Sequence, residues 1–490
     1  MPDHDIDRSA AWVGAASFVL GMLDLLSTLL CLRWWVSTAE FGAATLAAAL
    51  FPILDRLGGA GLVAAVVRED EARPAALASI FWVGAAAASA VCLALVAARP
   101  LVGAWFPDPI IASLLAAYGG KLVVQSFSLV PEGQLKRALR YRELSLVRIV
   151  ATGAGTATKL GFAWLGAHAD GAADLRIWCF ALGPIATTLV TTVGVQLRAP
   201  WRPRFVFERA SAVRAARFTA ALSGSELLYF AYTSADYLVV GIVFGKAAVG
   251  AYRLAYELVL DVVRLISLVT AEVAFPAFVR LAAASDAAVG AQLVRFTRQN
   301  LVVLAPFLVF AGLEADDLLA LLYPPLPAAA ATAARILCVV GALRTLGFVL
   351  PPLLASRGRA ASVLAYEAVA AVVLPVAFAT AASVATSAGF VAVAWAWAVG
   401  DPIAFAVLLA MTLPAAGLAL RAYLRAIAWI VLCAAGAAAV GLAVRAGLAP
   451  GLARTLAVAA SIVASYLGLL AWLEGITPAA VVRSMRAPAA

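Results

Sequence analysis

Residues 251–275 read AYRLAYELVLDVVRLISLVTAEVAF, an apolar run whose first fourteen residues contain Arg253, Glu257, Asp261 and Arg264. An α-helix advances about 100° per residue, so these four side chains fall within an arc of roughly 80°. The stretch is therefore predicted to form a helix with one polar stripe on an otherwise apolar surface. Four charges facing lipid would cost roughly 10 kcal/mol, so the stripe must face protein or water.

The composition of the whole chain places this helix in a membrane. Of the 490 residues, 64% are hydrophobic and 13% are charged. Soluble domains are typically about half apolar and about a quarter charged. Apolar runs near the roughly 20 residues that cross a bilayer recur from end to end. We therefore expect an all-α, polytopic membrane protein that has no room for a soluble catalytic domain.

About fourteen segments have the length and hydropathy of transmembrane helices. They are residues 10–32, 41–67, 76–97, 109–131, 146–167, 175–197, 217–244, 248–275, 299–322, 330–355, 361–383, 388–412, 423–444 and 453–474. The chain start, MPDHDIDRSAAWVG, lacks the basic region of a cleaved signal peptide, so we expect the first segment to be retained.

The basic residues predict the orientation. With the N-terminus inside, 23 of the 36 Lys and Arg residues fall in cytoplasmic segments, six in the opposite loops and seven within helices. This asymmetry follows the positive-inside rule and predicts that both termini are cytoplasmic. The formal net charge of +9 then reflects the orientation of the chain in its membrane, and nucleic acid is not an expected partner.

An internal repeat predicts the domain organisation. STAEFGAATLAAAL at 37–50 aligns with GKAAVGAYRLAYEL at 245–258, and the same offset of 208 residues places Arg56 on Arg264. Because the offset contains six helices, the repeats run in parallel, as in some secondary transporters. We expect two six-helix lobes around a central cavity plus two C-terminal helices. The predicted parts are an N-lobe at 1–197, a basic cytoplasmic linker at 198–216, a C-lobe at 217–412, and helices thirteen and fourteen with a tail at 413–490.

Three cations of the first half, Arg56, Lys121 and Lys159, have no acidic partner at usable spacing on their own helices except Asp55, which is adjacent to Arg56. We therefore expect surplus positive charge at membrane depth in this half. Phosphate is the usual anionic partner of Arg and Lys, which favours an amphiphilic, anionic cargo.

The stripe on the eighth segment permits two interpretations. Arg253 with Glu257, and Asp261 with Arg264, have salt-bridge spacings on a helix, so the four charges could only neutralise one another. Apolar packing would serve a structural role equally well, which favours a stripe that lines an aqueous cavity and contacts a ligand.

Motifs of catalysis are missing from the sequence. There is no GxSxG, no P-loop and no paired His/carboxylate motif, and the five cysteines occur singly in apolar segments. Metal binding by the acidic cluster Glu314, Asp316 and Asp317 is a minor alternative. We predict a non-enzymatic protein without a cofactor or metal. Its transport would be driven by an ion gradient (Na⁺ or H⁺, not distinguishable here), the membrane potential or the cargo's own gradient.

Four segments together resemble one family. They are ADYLVVGIVFGKAAVGAYRLAYEL from Ala235, FPAFVRL from Phe275, PEGQLKRALRYRELSLV from Pro131 and ARILCVVGALRTLGFVLPPLLASRGR from Ala334. In order and spacing they resemble the bacterial polysaccharide flippases of the Wzx type, within the multidrug/oligosaccharidyl-lipid/polysaccharide exporter superfamily. The resemblance covers residues from about 40 to 410.

The resemblance implies two six-helix lobes and alternating access. The implied cargo is an undecaprenyl-diphosphate-linked oligosaccharide, turned from the cytoplasmic to the periplasmic leaflet for exopolysaccharide or O-antigen synthesis. Membrane lipids, a polysaccharide polymerase and export machinery are the implied partners. The family pattern covers Asp236, Tyr252 and Tyr256. The family's D-L-G in the second helix reads DRLGG here, with Arg56 inserted after Asp55, which puts a family role for Asp55 in doubt.

The expected site assigns the polar residues named above to the cargo that the resemblance implies. Diphosphate or acidic sugar would be bound by Arg56, Lys121, Lys159 and Arg264. The cavity would be shaped by Arg253, Glu257 and Asp261, while coupling or structural roles fall to Asp55, Asp236, Arg344 and Glu367. Three alternatives stay open: a multidrug/cation antiporter of the same fold, a lipid II flippase, and a membrane-embedded glycosyltransferase or polymerase.

Overall fold

The protein is helical in a computed structural model. The structure is described at residues 20–59, 61–69, 73–106, 108–282 and 285–474. Within these ranges every regular element is a helix, which confirms the predicted all-α fold. By its internal contacts the chain divides into two compact units, residues 1–250 and 251–490. The lobe and linker boundaries drawn from the sequence stay predictions.

The helices of the first unit differ widely in length. In chain order they are α1 at 20–34, α2 Thr38–Ala49, α3 Phe51–Leu57, α4 Leu62–Arg68, α5 Pro74–Ala97, α6 Arg99–Trp105, α7 Pro109–Ser126, α8 Leu129–Arg137, α9 Tyr141–His168, α10 Leu175–Arg198 and α11 Arg209–Phe244. The long helix α11 begins inside the predicted linker, where the sequence suggested a later start.

α12 Lys246–Tyr256 begins in the first unit and continues into the second. The elements that follow are a π-helix at Glu257–Asp261, α13 Val262–Ala282, α14 Asp286–Leu313, α15 Ala315–Leu322, α16 Ala328–Gly347, α17 Leu350–Ser356, α18 Ala360–Val384, a 3₁₀ turn at Thr386–Ala388, α19 Val391–Ala415, α20 Leu420–Gly447 and α21 Leu452–Glu474. The core of this unit is a continuous apolar cluster in which α14, α17, α19, α20 and α21 take part.

Capping chemistry fixes several helix ends. Ser37 and Glu40 form a reciprocal capping box that begins α2. Asp108 accepts a hydrogen bond from the backbone of Ile110 and precedes a proline at the first position of α7. Gly245 ends α11 with a φ of 82°, a conformation that glycine adopts without strain.

The predicted membrane segments reappear as helices. Among the described residues, ten helical segments are long and apolar enough to cross a membrane, and α7 with α8, bent by 50°, is an eleventh if the pair forms one span. Of the three remaining predicted segments, the fifth coincides with α9 and the eighth with α12 to α13. The first was predicted at 10–32; its residues 10–19 lie outside the described residues, and the rest fall in the helical residues 20–34. The eighth is the segment that carries the charged stripe.

Helix breaks recur in a pattern that matches the sequence repeat. α2 ends at Ala49, and at the offset of 208 residues the second copy changes from α-helix to π-helix at Glu257. A second break separates α7 from α8, and a similar one separates α16 from α17, six predicted helices further along. Both copies of the repeat are thus interrupted at corresponding places.

Two matched glycines meet inside the first unit. A Cβ placed on Gly42 would lie 2.8 Å from the backbone nitrogen of Gly250, and nearer still to the carbonyl oxygen of Lys246. Reciprocally, a Cβ on Gly250 would lie 2.9 Å from the carbonyl carbon of Thr38. The repeat pairs Gly42 with Gly250 and Thr38 with Lys246, so the contact has an internal two-fold character. Small residues permit such close backbone approach between membrane helices.

Candidate functional site

The first polar cluster lies at the break in the second membrane segment, within the first unit. α3 is short because Gly58 and Gly59 follow it, and Gly59 has a φ of 98°. Arg56, near the end of α3, forms an ion pair with Glu226 of α11, with 3.0 Å between Nε and Oε2. Their side chains are 29% and 43% exposed, so the pair is open to a ligand.

Lys121 lies close to this break. Its ammonium group is 3.7 Å from the centre of the Phe51 ring, a cation–π contact. Gln125, one turn further along α7, donates a hydrogen bond of 2.9 Å to Asp55, which also attracts Lys121 electrostatically. Lys121 nevertheless makes no ion pair within 4.0 Å in the described part of the chain. It is thus a cation available to an additional anionic partner.

Lys159 belongs to a different network, between α9 and α1. Its side chain is buried, and its ammonium group lies 2.7 Å from the carboxylate of Asp24 and 3.0 Å from the hydroxyl of Thr28. These contacts satisfy the lysine in the interior. Lys159 therefore has the environment of a structural ion pair, and its predicted binding role stays a prediction.

The first half thus differs from the expected surplus of positive charge. Arg56 and Lys159 each find a carboxylate on another helix, whereas the sequence reasoning considered acids of the same helix alone. Asp24 of α1 and Glu226 of α11 supply those carboxylates. Lys121 differs from both, because no carboxylate lies within ion-pair distance of it among the described residues.

The charged stripe of the second unit surrounds the π-helix at Glu257–Asp261. The predicted pairs are both present, with Arg253 to Glu257 at 4.0 Å and Arg264 to Asp261 at 3.5 Å. A third and shorter contact of 2.8 Å joins Arg253 to Asp261. The side chain of Arg264 is 55% exposed, so its guanidinium group remains accessible. π-Turns inside α-helices occur frequently at functional sites.

A second network of this unit centres on Arg344 of α16. Its Nε lies 3.6 Å from the Asp401 carboxylate, and Nη1 donates a hydrogen bond of 3.4 Å to the hydroxyl of Tyr256. The guanidinium group also lies 4.1 Å from the centre of the Trp397 ring. Trp397 in turn donates to the hydroxyl of Tyr252 at 3.0 Å. Sequence reasoning named Arg344 and both tyrosines but missed Trp397, whose buried indole N–H requires an acceptor.

Two further predicted polar residues are buried. Asp236 of α11 accepts a hydrogen bond of 2.8 Å from the backbone of Tyr237 and is inaccessible. Glu367 lies on α18 and is also buried. Their coupling or structural roles stay predictions.

The acidic cluster at the end of α14 is neutralised by arginines. Glu314 is buried and pairs with Arg445 at 3.1 Å, while Asp316 pairs with Arg335 and Asp317 with Arg454. Burial, the largest single effect, raises the pKa of Asp317, but the hydrogen bonds with Arg454 and Glu314 and the charges of Arg454 and Arg445 together outweigh it and hold that pKa below its usual value. The ion pairs of this cluster thus connect α15 to neighbouring helices. Among the described residues no group of three or more His, Cys, Asp or Glu is arranged to hold a metal ion.

These features define a class. The described elements are all helices, at least ten segments are long and apolar enough to cross a membrane, and several of these segments are interrupted or carry charged side chains. Such a chain is a multi-pass membrane protein of the transporter type. Residues 34–324 match the family described as polysaccharide biosynthesis protein. The chain belongs to that family.

Curated relatives share part of this chain. The lipopolysaccharide biosynthesis protein WzxC of Escherichia coli strain K12 is 24% identical over 348 residues, which are 69% of this chain and 67% of that protein. The succinoglycan biosynthesis transport protein ExoT of Rhizobium meliloti is 27% identical over 221 residues, 45% of this chain and 43% of ExoT. The teichuronic acid biosynthesis protein TuaB of Bacillus subtilis is 22% identical over 58% of each chain. The chain thus matches less than two thirds of ExoT and of TuaB.

Solved structures confirm the fold. The lipid II flippase MurJ in an inward closed conformation aligns with a TM-score of 0.74 at 12% identity, over 94% of this chain and 98% of that one. An inward-facing multidrug resistance MATE family transporter of the MOP superfamily aligns with a TM-score of 0.62 at 16% identity, over 81% and 94%. The predicted all-α, multi-pass fold is therefore confirmed.

Proposed function

We propose that this protein is a flippase that moves an undecaprenyl-diphosphate-linked oligosaccharide from the cytoplasmic to the periplasmic leaflet by alternating access. Membership of the polysaccharide biosynthesis family and the names of the relatives support the cargo class. The fold shared with a lipid II flippase and a MATE transporter supports the transport mode.

The observation that carries the proposal is the half-exposed pair of Arg56 and Glu226 beside Lys121. An exposed ion pair is worth little, about 0–1 kcal/mol, so a more highly charged anion can replace the carboxylate. A diphosphate accepts several charge-assisted hydrogen bonds from a guanidinium group, and an adjacent ammonium adds a second positive charge. Cargo binding would thus exchange Glu226 for diphosphate at Arg56.

Roles for the remaining polar groups follow from their environments. Arg264 is exposed on the stripe and would contact phosphate or an acidic sugar. The carboxylates of Glu257 and Asp261 fix Arg253 and would shape the polar surface on which sugar hydroxyls or a coupling Na⁺ or H⁺ are received. The protein would reside in the bacterial inner membrane with both termini cytoplasmic, and it would supply a polysaccharide polymerase and export machinery without catalysing a reaction itself.

The test uses a deletion strain complemented with the wild type, with Arg56→Gln or with Lys121→Met. The pool of diphosphate-linked saccharide is extracted, and its leaflet is assigned with an impermeant sugar-oxidising probe. We expect completed repeat units to accumulate on the cytoplasmic side in the deletion and in both variants. Arg335→Gln is the matched control, since Arg335 pairs with the acidic cluster at the end of α14, and it should restore export.

Other outcomes identify the alternatives. Completed units already on the periplasmic side of the deletion strain would exclude the flippase and favour a glycosyltransferase or polymerase. Accumulation of lipid II would indicate a lipid II flippase, and unchanged lipid-linked pools with increased drug sensitivity would indicate a cation antiporter. Normal export by Arg56→Gln would exclude the cationic site while leaving the flippase assignment intact.

A further inference from the structure

A cavity lined by arginines lies in the first unit, away from α3. Its volume is about 810 Å³, and its walls are formed by the end of α4, the residue before α5 and the first turns of α11. Four arginines line it: Arg68, Arg73, Arg214 and Arg217. All four belong to segments that the positive-inside rule assigns to the cytoplasmic face.

A buried serine organises one side of the cavity. Ser211 accepts hydrogen bonds from Arg214 at 2.7 Å and from Arg73 at 3.5 Å, and it donates to Glu208 at 2.9 Å. The backbone nitrogen of Glu208 is fixed in turn by Ser79 of α5 at 2.7 Å. This side of the cavity is therefore preorganised, and Arg73 is neutralised by Glu208 and Glu69.

Three of the lining arginines carry charge without an ion-pair partner among the described residues. Arg68 lies 4.8 Å from the centre of the Phe218 ring, and Arg217 also lines the cavity. Neither Arg68, Arg214 nor Arg217 makes an ion pair within 4.0 Å with any residue that the structure describes. The acids Asp70 and Glu71 of the sequence lie outside the described residues. Guanidinium groups around one concavity match the oxygens of a phosphate group.

The linker beside the cavity carries exposed aromatic side chains that could contact the apolar part of a lipid. Trp82 of α5 donates a hydrogen bond of 2.9 Å to the carbonyl oxygen of Arg204, which holds the linker against the helix. Phe205 packs on Trp82 yet is 93% exposed, and Phe207 is also exposed. Exposed aromatic rings next to arginines are typical of segments that lie in a membrane interface.

We propose that this arginine cavity binds the phosphate group of a membrane lipid on the cytoplasmic side. The lipid could be an acidic phospholipid or a polyprenyl diphosphate, which share the chemistry that the arginines recognise. The proposal stands on the cavity and does not require the proposed flippase activity. The site differs from Arg56 and Lys121 and would hold a lipid headgroup at the cytoplasmic surface.

The test is native mass spectrometry of the full-length protein in neutral detergent. The protein is titrated separately with phosphatidylglycerol, with farnesyl diphosphate and with zwitterionic phosphatidylcholine. A basic residue near a membrane surface contributes about fivefold to acidic-lipid binding, so Arg68→Gln with Arg217→Gln should weaken it about thirtyfold. Arg421→Gln with Arg425→Gln, two exposed arginines of the second unit on the same predicted side, is the matched control.

The outcomes separate the two lipid sources. If the glutamine double variant loses only the binding of phosphatidylglycerol, the site is assigned to phospholipid. If it loses only the binding of farnesyl diphosphate, the site is assigned to the diphosphate carrier. Loss of both supports a general phosphate site. Lysine at positions 68 and 217 keeps the charge but removes the bidentate geometry, and it should restore part of the binding. Equal affinities of the glutamine double variant and its control, for both anionic lipids, would overturn the proposal.

Discussion

Substituting alanine for Gly42 or Gly250 tests the internal two-fold contact of the first unit. In either variant the new methyl group meets backbone atoms of the facing helix at 2.9 Å or less, so neither side-chain rotation nor a flexible neighbour can relieve the clash. The helices must separate, and overpacking of this kind typically costs about 1–3 kcal/mol. Because backbone lies on both sides, we expect the upper part of that range.

The free energy of unfolding is measured by titrating the detergent-solubilised protein with a denaturing detergent. Gly42→Ala and Gly250→Ala should each lower it by about 2–3 kcal/mol. The double variant should cost less than the sum, because both methyl groups force the same separation. Gly120→Ala on α7 is the matched control, since no atom lies within 4 Å of a Cβ placed there. Substitutions that remove no contact and create no clash usually change stability by less than about 0.5 kcal/mol.

Two results would refute the reasoning. If Gly42→Ala were as stable as Gly120→Ala, the close backbone approach would not exist. If Gly42→Ala were costly while Gly250→Ala was neutral, the contact would be real but not reciprocal, and the two-fold relation between the repeats would lose its structural support.

Three further predictions concern the polar networks. Asp24→Ala should lower the free energy of unfolding by about 3–5 kcal/mol, because it removes the carboxylate that pairs with the buried Lys159. Lys159→Met leaves an exposed carboxylate and should cost far less. Equal costs of the two variants would contradict this asymmetry. Trp397→Phe removes the hydrogen bond to Tyr252 and should cost about 1–3 kcal/mol by the same measurement, and a cost near zero would mean that the bond contributes nothing. Asp317 has a native pKa below its usual value, so its ion pair stabilises the fold above the ordinary Asp pKa of about 3.9 and loses this effect as the pH falls through the lower native pKa. Asp317→Asn should therefore reduce stability at pH 7 but little at about pH 2, and a loss of the same size at both pH values would exclude the titration.

The helices were predictable because their signal is local. Each membrane segment has a run of apolar residues long enough to be recognised without knowledge of its neighbours. The breaks were harder to predict, although Gly58 and Gly59 stand inside the second segment and Pro131 follows the break after α7. Such residues are tolerated in membrane helices where the surroundings satisfy the released backbone groups, so glycine or proline alone does not identify a break.

The candidate site was predictable in its residues but not in its partners. Arg253 and Arg264 were correctly paired with acids of their own stripe, because helical spacing determines which side chains can meet. The partners of Arg56 and Lys159 come from helices far away in sequence, and no spacing rule reports such pairs. The third stripe contact, Arg253 to Asp261, was missed because an α-helical spacing of eight residues is too long for an ordinary pair.

This difference between local and distant pairs bears on transport. Arg253 and Asp261 lie on one continuous helical segment, so a movement of helices relative to each other leaves that pair intact. Arg56 of α3 and Glu226 of α11 lie on different helices, and any shift between these helices opens the pair. Alternating access requires helices to move, and a pair across helices can therefore change partners during the cycle, whereas a pair within one helix maintains its polar surface throughout. On this basis we expect Arg56 to exchange ligands during transport and Arg253 to remain a fixed part of the surface that the cargo passes.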